Sequence, residues 1–123
     1  MSEFQNRAVE LLVAGPGAAV AMDTVERRTR FLENALELYR AMGGTLDEAG
    51  GLAKAIYSRP ATDVVAEIGD VMIALAGISQ INDVDMMQAA YNTLDAEWKN
   101  LELSSDGSGD DKLYSRTGAS LSG

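Results

Sequence analysis

Residues 64–77 read VVAEIGDVMIALAG, and Glu67 and Asp70 are the only charged side chains in this stretch. On a helix that advances about 100° per residue, the apolar side chains surround the axis, so no face is clearly made for water. Glu67 and Asp70 are three residues apart and therefore point the same way. Because a buried carboxylate without a partner is costly, we expect this pair to meet a cation, either a metal ion or a basic side chain such as Arg30 or Arg40.

The composition narrows the chemistry that this chain can perform. The 123 residues are 46 % apolar and carry a net charge of −9, which indicates a globular protein that repels nucleic acids and anionic membranes. The absence of cysteine and histidine excludes disulfides, thiolate nucleophiles, Ser-His-Asp triads and imidazole-bound zinc. A metal would therefore be held by oxygen ligands, which favours Mg²⁺, Mn²⁺ or Ca²⁺.

The sequence also predicts where the protein resides. Its N-terminus is polar, and its first apolar run is broken at Gly15-Pro16-Gly17, so no signal peptide is expected. The apolar run of residues 64–77 is shorter than a bilayer span and carries two acids. We therefore expect a soluble, cytoplasmic protein with no membrane partner.

Helical periodicity, capping patterns and breakers predict five helices and no strand ladder. Asp23-Thr24-Val25-Glu26 and Thr45-Leu46-Asp47-Glu48 look like capping boxes, and Asn82-Asp83 looks like a break. The predicted helices cover about residues 2–14, 24–42, 45–57, 62–78 and 84–101. Short connections between long helices favour an all-α, antiparallel helical bundle over residues 1–103. Residues 104–123, rich in Ser, Gly and Asp, are predicted to form a flexible tail.

A second set of acids lies on the second predicted helix. Glu33, Asn34 and Glu37 share a stripe with Arg30 and Arg40, while apolar residues cover the rest of the helix. By itself this stripe is typical of a solvated face. Acids from two antiparallel helices can also clamp one or two metal ions between them.

The two sets together carry a family resemblance. Residues 33–37 read ENALE and residues 67–70 read EIGD. They resemble the E-E-x-x-E and E-x-x-D runs of the MazG-like all-α nucleotide pyrophosphohydrolases, which include helical dUTPases and phosphoribosyl-ATP pyrophosphohydrolase. With Arg30–Glu33, Tyr57–Pro60 and Glu67–Met72, the chain looks especially like short phage-encoded members. The resemblance covers roughly residues 4–100.

The resemblance implies a bundle of this family's type and a house-cleaning reaction. Such enzymes cleave a (d)NTP to a (d)NMP and pyrophosphate with Mg²⁺, or with Mn²⁺. It implies that Glu37, Glu67 and Asp70 are catalytic metal ligands and that Asn34 or Glu33 completes the set. Asn34 departs from the pattern, because relatives carry an acid there and an amide oxygen brings no charge.

Few residues are available to bind phosphates or a base. Lys54, Arg59 and Lys99 are the candidate substrate-binding cations, although surface cations are common. Tyr91 and Trp98 are seven residues apart and share a helix face, which suits either base stacking or packing in a core or subunit interface. A chain of this size offers few helices to cover residues 64–77, so a homodimer or homotetramer is expected.

Two non-enzymatic alternatives remain open. A catalytically degenerate relative could act as an acidic helical binding module that docks on a basic partner. Such a module needs its carboxylates on exposed faces, whereas Glu67 and Asp70 lie within an apolar helix. A purely structural bundle would instead pair one of these two acids with an arginine.

Overall fold

The computed structural model describes residues 1–104, which form six helices and their connections. The helices are α1 (Glu3–Ala14), α2 (Ala18–Ala21), α3 (Thr24–Ala41), α4 (Leu46–Tyr57), α5 (Val64–Ile81) and α6 (Met86–Ser104). The all-helical prediction is confirmed for these residues. Ser104 lies in the last turn of α6, and the rest of the predicted tail lies outside the described residues.

Side-chain caps set the starts of the long helices. At α4 the predicted capping box is complete, since the Thr45 hydroxyl accepts from the Glu48 amide and the Glu48 carboxylate accepts from the Thr45 amide. Asp23 accepts from the Glu26 amide at 2.9 Å at the start of α3. Asp85 accepts from the Gln88 amide in the same way at the start of α6. These hydrogen bonds satisfy amides that would otherwise lack an intrahelical partner.

The short helix α2 is absent from the sequence prediction. The sequence indicates only a breaker at Gly15-Pro16-Gly17, whereas Ala18–Ala21 form one further turn. Gly17 adopts a φ of 98°, a backbone conformation that glycine reaches without steric cost. Four residues are too few to show helical periodicity, and α2 forms because it packs against α1 and buries Ala21.

The helix α5 is shifted towards the C-terminus relative to the prediction of residues 62–78, since it begins two residues later and ends three residues later. It begins at Val64, where Asp63 accepts from the Ala66 amide, and it continues to Ile81 before the predicted break. At that break Asn82 caps the helix and Asp83 adopts a φ of 56°. By length and composition alone, this 18-residue helix could cross a membrane, unlike the 14-residue run 64–77 considered from sequence.

The helices belong to two compact units. The first contains Met1–Leu38 and residues 91–104, and the second contains Tyr39–Ala90. In the first unit Leu11, Ala21 and Leu94 form the buried apolar core. The Phe4 and Tyr91 rings meet edge to face at 5.4 Å and tie α1 to α6.

The second unit has no buried side chain. None of residues 39–90 is buried, and α5 exposes large apolar side chains such as Val65 and Ile73, of which Ile73 is 72 % exposed. The unit lacks the elements that would cover a helix that is apolar on all sides. The prediction that one chain does not cover this helix agrees with the structure.

The substitution Thr45→Ala removes the hydroxyl that accepts from the Glu48 amide at the start of α4, whereas the backbone amide of residue 45 can still donate to the Glu48 carboxylate. We expect it to lower the free energy of unfolding by about 1 kcal/mol. Urea unfolding followed by circular dichroism measures the change. Thr93→Ala, at an exposed position inside α6, is the control and should not destabilise, because alanine favours helix. Equal unfolding midpoints for Thr45→Ala and the unmodified protein would contradict the role of the box.

Candidate functional site

Glu67 and Asp70 line one open cavity in the second unit. The cavity has a volume of about 690 Å³ and lies at the connection between α4 and α5. Its lining comprises Ile56, Tyr57, Arg59, Pro60, Ala61, Thr62, Glu67 and Asp70. The structure therefore brings together three residues that the sequence proposes for the site: Arg59, Glu67 and Asp70.

Local chemistry explains why the chain forms this cavity. Pro60 has no amide hydrogen, so the chain cannot simply continue as helix from α4 into α5. Asp63 then caps α5, which places Glu67 and Asp70 within its first two turns. The connection thus sets a cationic residue, Arg59, beside two carboxylates.

A hydrogen bond orients one of the two acids. The Thr62 hydroxyl donates to Oε2 of Glu67 and directs this carboxylate towards the connection between the helices. The Oε1 atom of Glu67 remains available to a further ligand. Thr62 has a role here that no spacing rule in the sequence indicates, because the contact depends on how the backbone enters α5.

Both acids are exposed, contrary to the expectation from sequence that they are buried in an apolar helix. The expectation is wrong for the isolated chain because no neighbouring element covers the first turns of α5. Exposed carboxylates fit both a metal site and a surface that binds a basic partner, so the exposure of these two acids does not distinguish the two functions. The functional evidence is instead the grouping of these acids with Arg59 in one cavity.

On α3 the most covered acid is Glu33. Its side chain is only 9 % exposed, and its Oε1 atom accepts from Nη1 of Arg30 at 3.2 Å. Its Oε2 atom is buried without a hydrogen-bond partner among the described residues. Asn34 and Glu37 are exposed on the same helix. A buried carboxylate oxygen without a partner is costly, which marks Glu33 as a position where a cation would be stabilising.

Arg30 is a permanent positive charge beside Glu33. It also donates from Nε to Oε1 of Glu26 at 2.7 Å. Burial lowers the pKa of the Arg30 guanidinium, but the hydrogen bonds and opposite charges of Glu26 and Glu33 outweigh burial and raise that pKa. Arg30 thus stays protonated at any pH at which the protein is folded.

The interpretation of the α3 stripe as a solvated face is wrong for Arg30 and Glu33. These two side chains are well covered, whereas the apolar residues Phe31, Leu32 and Leu36 are exposed, Phe31 by 53 %. The sequence predicts the opposite because charged residues usually face water. On this helix Arg30 and Glu33 are covered, the other members of the stripe are exposed, and part of the apolar surface is exposed as well.

The predicted ligands belong to different units. Glu33, Asn34 and Glu37 lie in the first unit, and Glu67 and Asp70 lie in the second. Within residues 1–104, no three acidic side chains come close enough together to hold one metal ion. The four-ligand cluster that the family resemblance implies remains a prediction.

Two of the predicted phosphate-binding cations are not among the residues that line the cavity. Lys54 is exposed in the last turn of α4, and Lys99 is exposed on α6 in the first unit. Tyr91 also has a structural role, because Phe4 packs on its ring and the Arg7 guanidinium lies 5.3 Å from the ring centroid. These contacts support packing rather than base stacking for Tyr91.

Two further positions escape sequence reasoning. Tyr57 lines the cavity beside Arg59, although the Tyr-Ser-Arg-Pro run directs attention to its cation alone. Glu97 is buried on α6, although its neighbours Asp95, Ala96 and Lys99 read as a surface segment. Tyr57 is part of the Tyr-Ser-Arg-Pro run, so that run could have identified it as a cavity residue. The burial of Glu97, in contrast, has no signal in the sequence.

No family model, curated protein or solved structure matches this chain. The likeness to MazG-like enzymes therefore rests on the two sequence motifs.

The variant Arg30→Met tests whether the Glu33 carboxylate depends on its arginine. We expect the free energy of unfolding to fall by about 1–3 kcal/mol, because a well-covered carboxylate loses its countercharge. Chemical denaturation measures the loss. The double variant Arg30→Met/Glu33→Leu should recover part of it, and Arg28→Met, at an exposed position, should change little. If the double variant is less stable than Arg30→Met, the loss of stability in Arg30→Met is not caused by a Glu33 carboxylate that lacks its countercharge.

Proposed function

We propose that this protein is an Mg²⁺-dependent nucleotide pyrophosphohydrolase that cleaves a (d)NTP to a (d)NMP and pyrophosphate. The observation that carries the proposal is the cavity in which Arg59 lies with Glu67 and Asp70. Carboxylates suit a hard divalent cation, and an arginine suits the phosphates that such a cation accompanies. The motif resemblance supplies the reaction class.

The carboxylates of Glu67 and Asp70 in the cavity are donors of the type that Mg²⁺ or Mn²⁺ prefers. Glu67 has one carboxylate oxygen held by Thr62 and the other available, and Glu33 has a buried oxygen that lacks a partner. In the proposed site, Glu37, Glu67 and Asp70 are metal ligands, with Glu33 or Asn34 completing the set. All of these donors are oxygens, as Mg²⁺ requires.

The protein's own residues hold and orient the substrate. When bound, Mg²⁺ would lower the pKa of a coordinated water and stabilise the charge that develops on the phosphoryl oxygens. Arg59 would bind the phosphates by charge-assisted hydrogen bonds, with Lys54 and Lys99 as further candidates. Thr62 would keep the Glu67 carboxylate in one orientation. In the reaction a water oxygen would bond to the α-phosphorus and the bond from that phosphorus to the oxygen bridging to the β-phosphate would break. Pyrophosphate would leave, and the proton lost by the attacking water would pass to solvent.

The proposed assembly is an antiparallel bundle of the MazG type that forms a homodimer or homotetramer. Its support is the apolar surface that one chain leaves exposed on α3 and α5, the two helices that carry the proposed ligands. Burying such surface in a second copy removes it from water. A membrane is the competing partner for α5, but Glu67 and Asp70 would then carry charge into hydrocarbon.

An acidic binding module is the second candidate function. The exposure of Glu67 and Asp70, together with the net charge of −9, favours it. The amide of Asn34, where relatives carry a metal-binding acid, would fit a chain that has lost its turnover. Such a module would bind a basic partner and release no pyrophosphate.

The variant Asp70→Ala should abolish both metal binding and turnover. In the unmodified protein, Mg²⁺ at 100 times its Kd should stabilise the fold by about 2.7 kcal/mol relative to EDTA, measured as a rise in Tm. Asp70→Ala should lose this rise, and its rate of pyrophosphate release should fall at least about a hundredfold. Asp47→Ala, an exposed acid of α4 outside the cavity lining, should retain both. Unchanged turnover in Asp70→Ala would refute the assignment.

The variant Asn34→Glu supplies the missing carboxylate of the motif. We expect a tighter Kd for Mg²⁺, by about tenfold, because a charged oxygen replaces a neutral one. Isothermal titration calorimetry measures this affinity. The neutral variant Asn34→Gln should leave the Kd close to that of the unmodified protein. Weaker binding in Asn34→Glu would show that residue 34 does not contribute to the site.

The variant Ile73→Glu places a charge on the exposed apolar surface of α5. We expect the unmodified protein to sediment as a dimer or tetramer and Ile73→Glu to shift towards monomer, because the charge opposes burial in an interface. Leu103→Glu, equally exposed on α6, is the control. A monomeric unmodified protein in analytical ultracentrifugation would contradict the assembly, and flotation with phospholipid vesicles would favour the membrane instead.

A further inference from the structure

Tyr57 is the one aromatic residue of the cavity lining. It is the last residue of α4 and is 90 % exposed, yet it lies on the wall shared with Arg59 and the two carboxylates. An aromatic ring in this position offers a flat apolar face beside charged groups. A ligand that uses the whole cavity would therefore combine an anionic part with a flat, apolar part.

The order of residues in the cavity matches such a ligand. Arg59 follows Tyr57 by two residues, and it forms no ion pair with another side chain of residues 1–104. Glu67 and Asp70 of α5 line the same cavity and suit a cation bound to the anionic part. Phosphates held by Arg59 would leave an attached aromatic ring system within reach of Tyr57.

We propose that Tyr57 stacks on the base of a nucleotide whose phosphates are bound by Arg59, so that the cavity selects nucleoside triphosphates over base-free polyphosphates. This inference rests on the proposed function for the reaction but concerns the binding step alone. Stacking uses the face of the base, and every base has such a face. Tyr57 therefore confers affinity for bases in general, with little preference among them.

The kinetic test compares substitutions of Tyr57 with a matched exposed apolar residue. Tyr57→Ala should raise KM about tenfold for both dATP and dCTP while kcat changes less than about twofold, since stacking acts mainly on binding. Tyr57→Phe retains the ring and should restore KM to within about twofold of its original value. Leu46→Ala, exposed in the same unit but outside the cavity lining, should leave both constants unchanged. A KM that Tyr57→Ala leaves unchanged, or raises for one base only, would overturn the proposal.

A binding measurement separates this inference from the proposed reaction. Trp98 is the only tryptophan, so Tyr57→Trp in a Trp98→Phe background gives one fluorophore on the cavity wall. With Mg²⁺ present, α,β-methylene dATP should quench this fluorescence, and inorganic tripolyphosphate should not. Quenching without any pyrophosphate release from natural dNTPs would support base stacking and refute the reaction. Pyrophosphate release without quenching, or quenching by tripolyphosphate, would overturn the stacking role.

Discussion

An apolar helix that its own chain does not cover is the constraint on which the rest of this structure depends. The side chains of α5 are apolar on almost every side, and none of them is buried in the second unit. Leaving this surface in water forfeits about 25 cal/mol for each Å² that could be buried. The proposed assembly would cover this surface, and the same helix carries Glu67 and Asp70.

The helix α3 also leaves apolar surface exposed. Its polar residues Arg30 and Glu33 are covered, while Phe31 and Leu36 face outward. A monomer would be expected to show the reverse. The apolar surface that the proposed assembly would bury therefore lies on the same two helices as the proposed metal ligands. A partner that covers these surfaces would also exclude water from the proposed site and strengthen its electrostatic interactions.

The connection between α4 and α5 gives the cavity its chemical character. Pro60 and the Asp63 cap separate the two helices, and the connecting residues contribute Arg59 and Thr62. Sites of binding are often formed by connections that rigid helices hold in place. Here the carboxylates come from the helix and Arg59, the proposed phosphate-binding cation, comes from the connection. The two kinds of charge are therefore positioned by different parts of the backbone.

Local chemistry alone determined most of the helices. The Thr45 capping box, the Asp23 cap and the Asn82 break depend on residues that are neighbours in the sequence, so their positions follow from the sequence. The position of Glu67 and Asp70 on one face of α5 likewise follows from their spacing of three residues. Helix α2 was not predictable in this way, because a single turn has no periodicity of its own. The last turn of α5 lies beyond the predicted end of that helix at residue 78.

Tertiary structure decided which side chains face water and which groups share the cavity. The sequence by itself predicts buried acids on α5 and a solvated charged stripe on α3. The first expectation fails for the isolated chain, and the second fails for Arg30 and Glu33 but not for the exposed Asn34 and Glu37. It also directs attention to Arg59 but not to Tyr57, Thr62 or the buried Glu97. Periodicity specifies the direction of a side chain around its own helix axis. Burial and the composition of a cavity depend on which other elements lie against that helix, and this information is distributed over the whole chain.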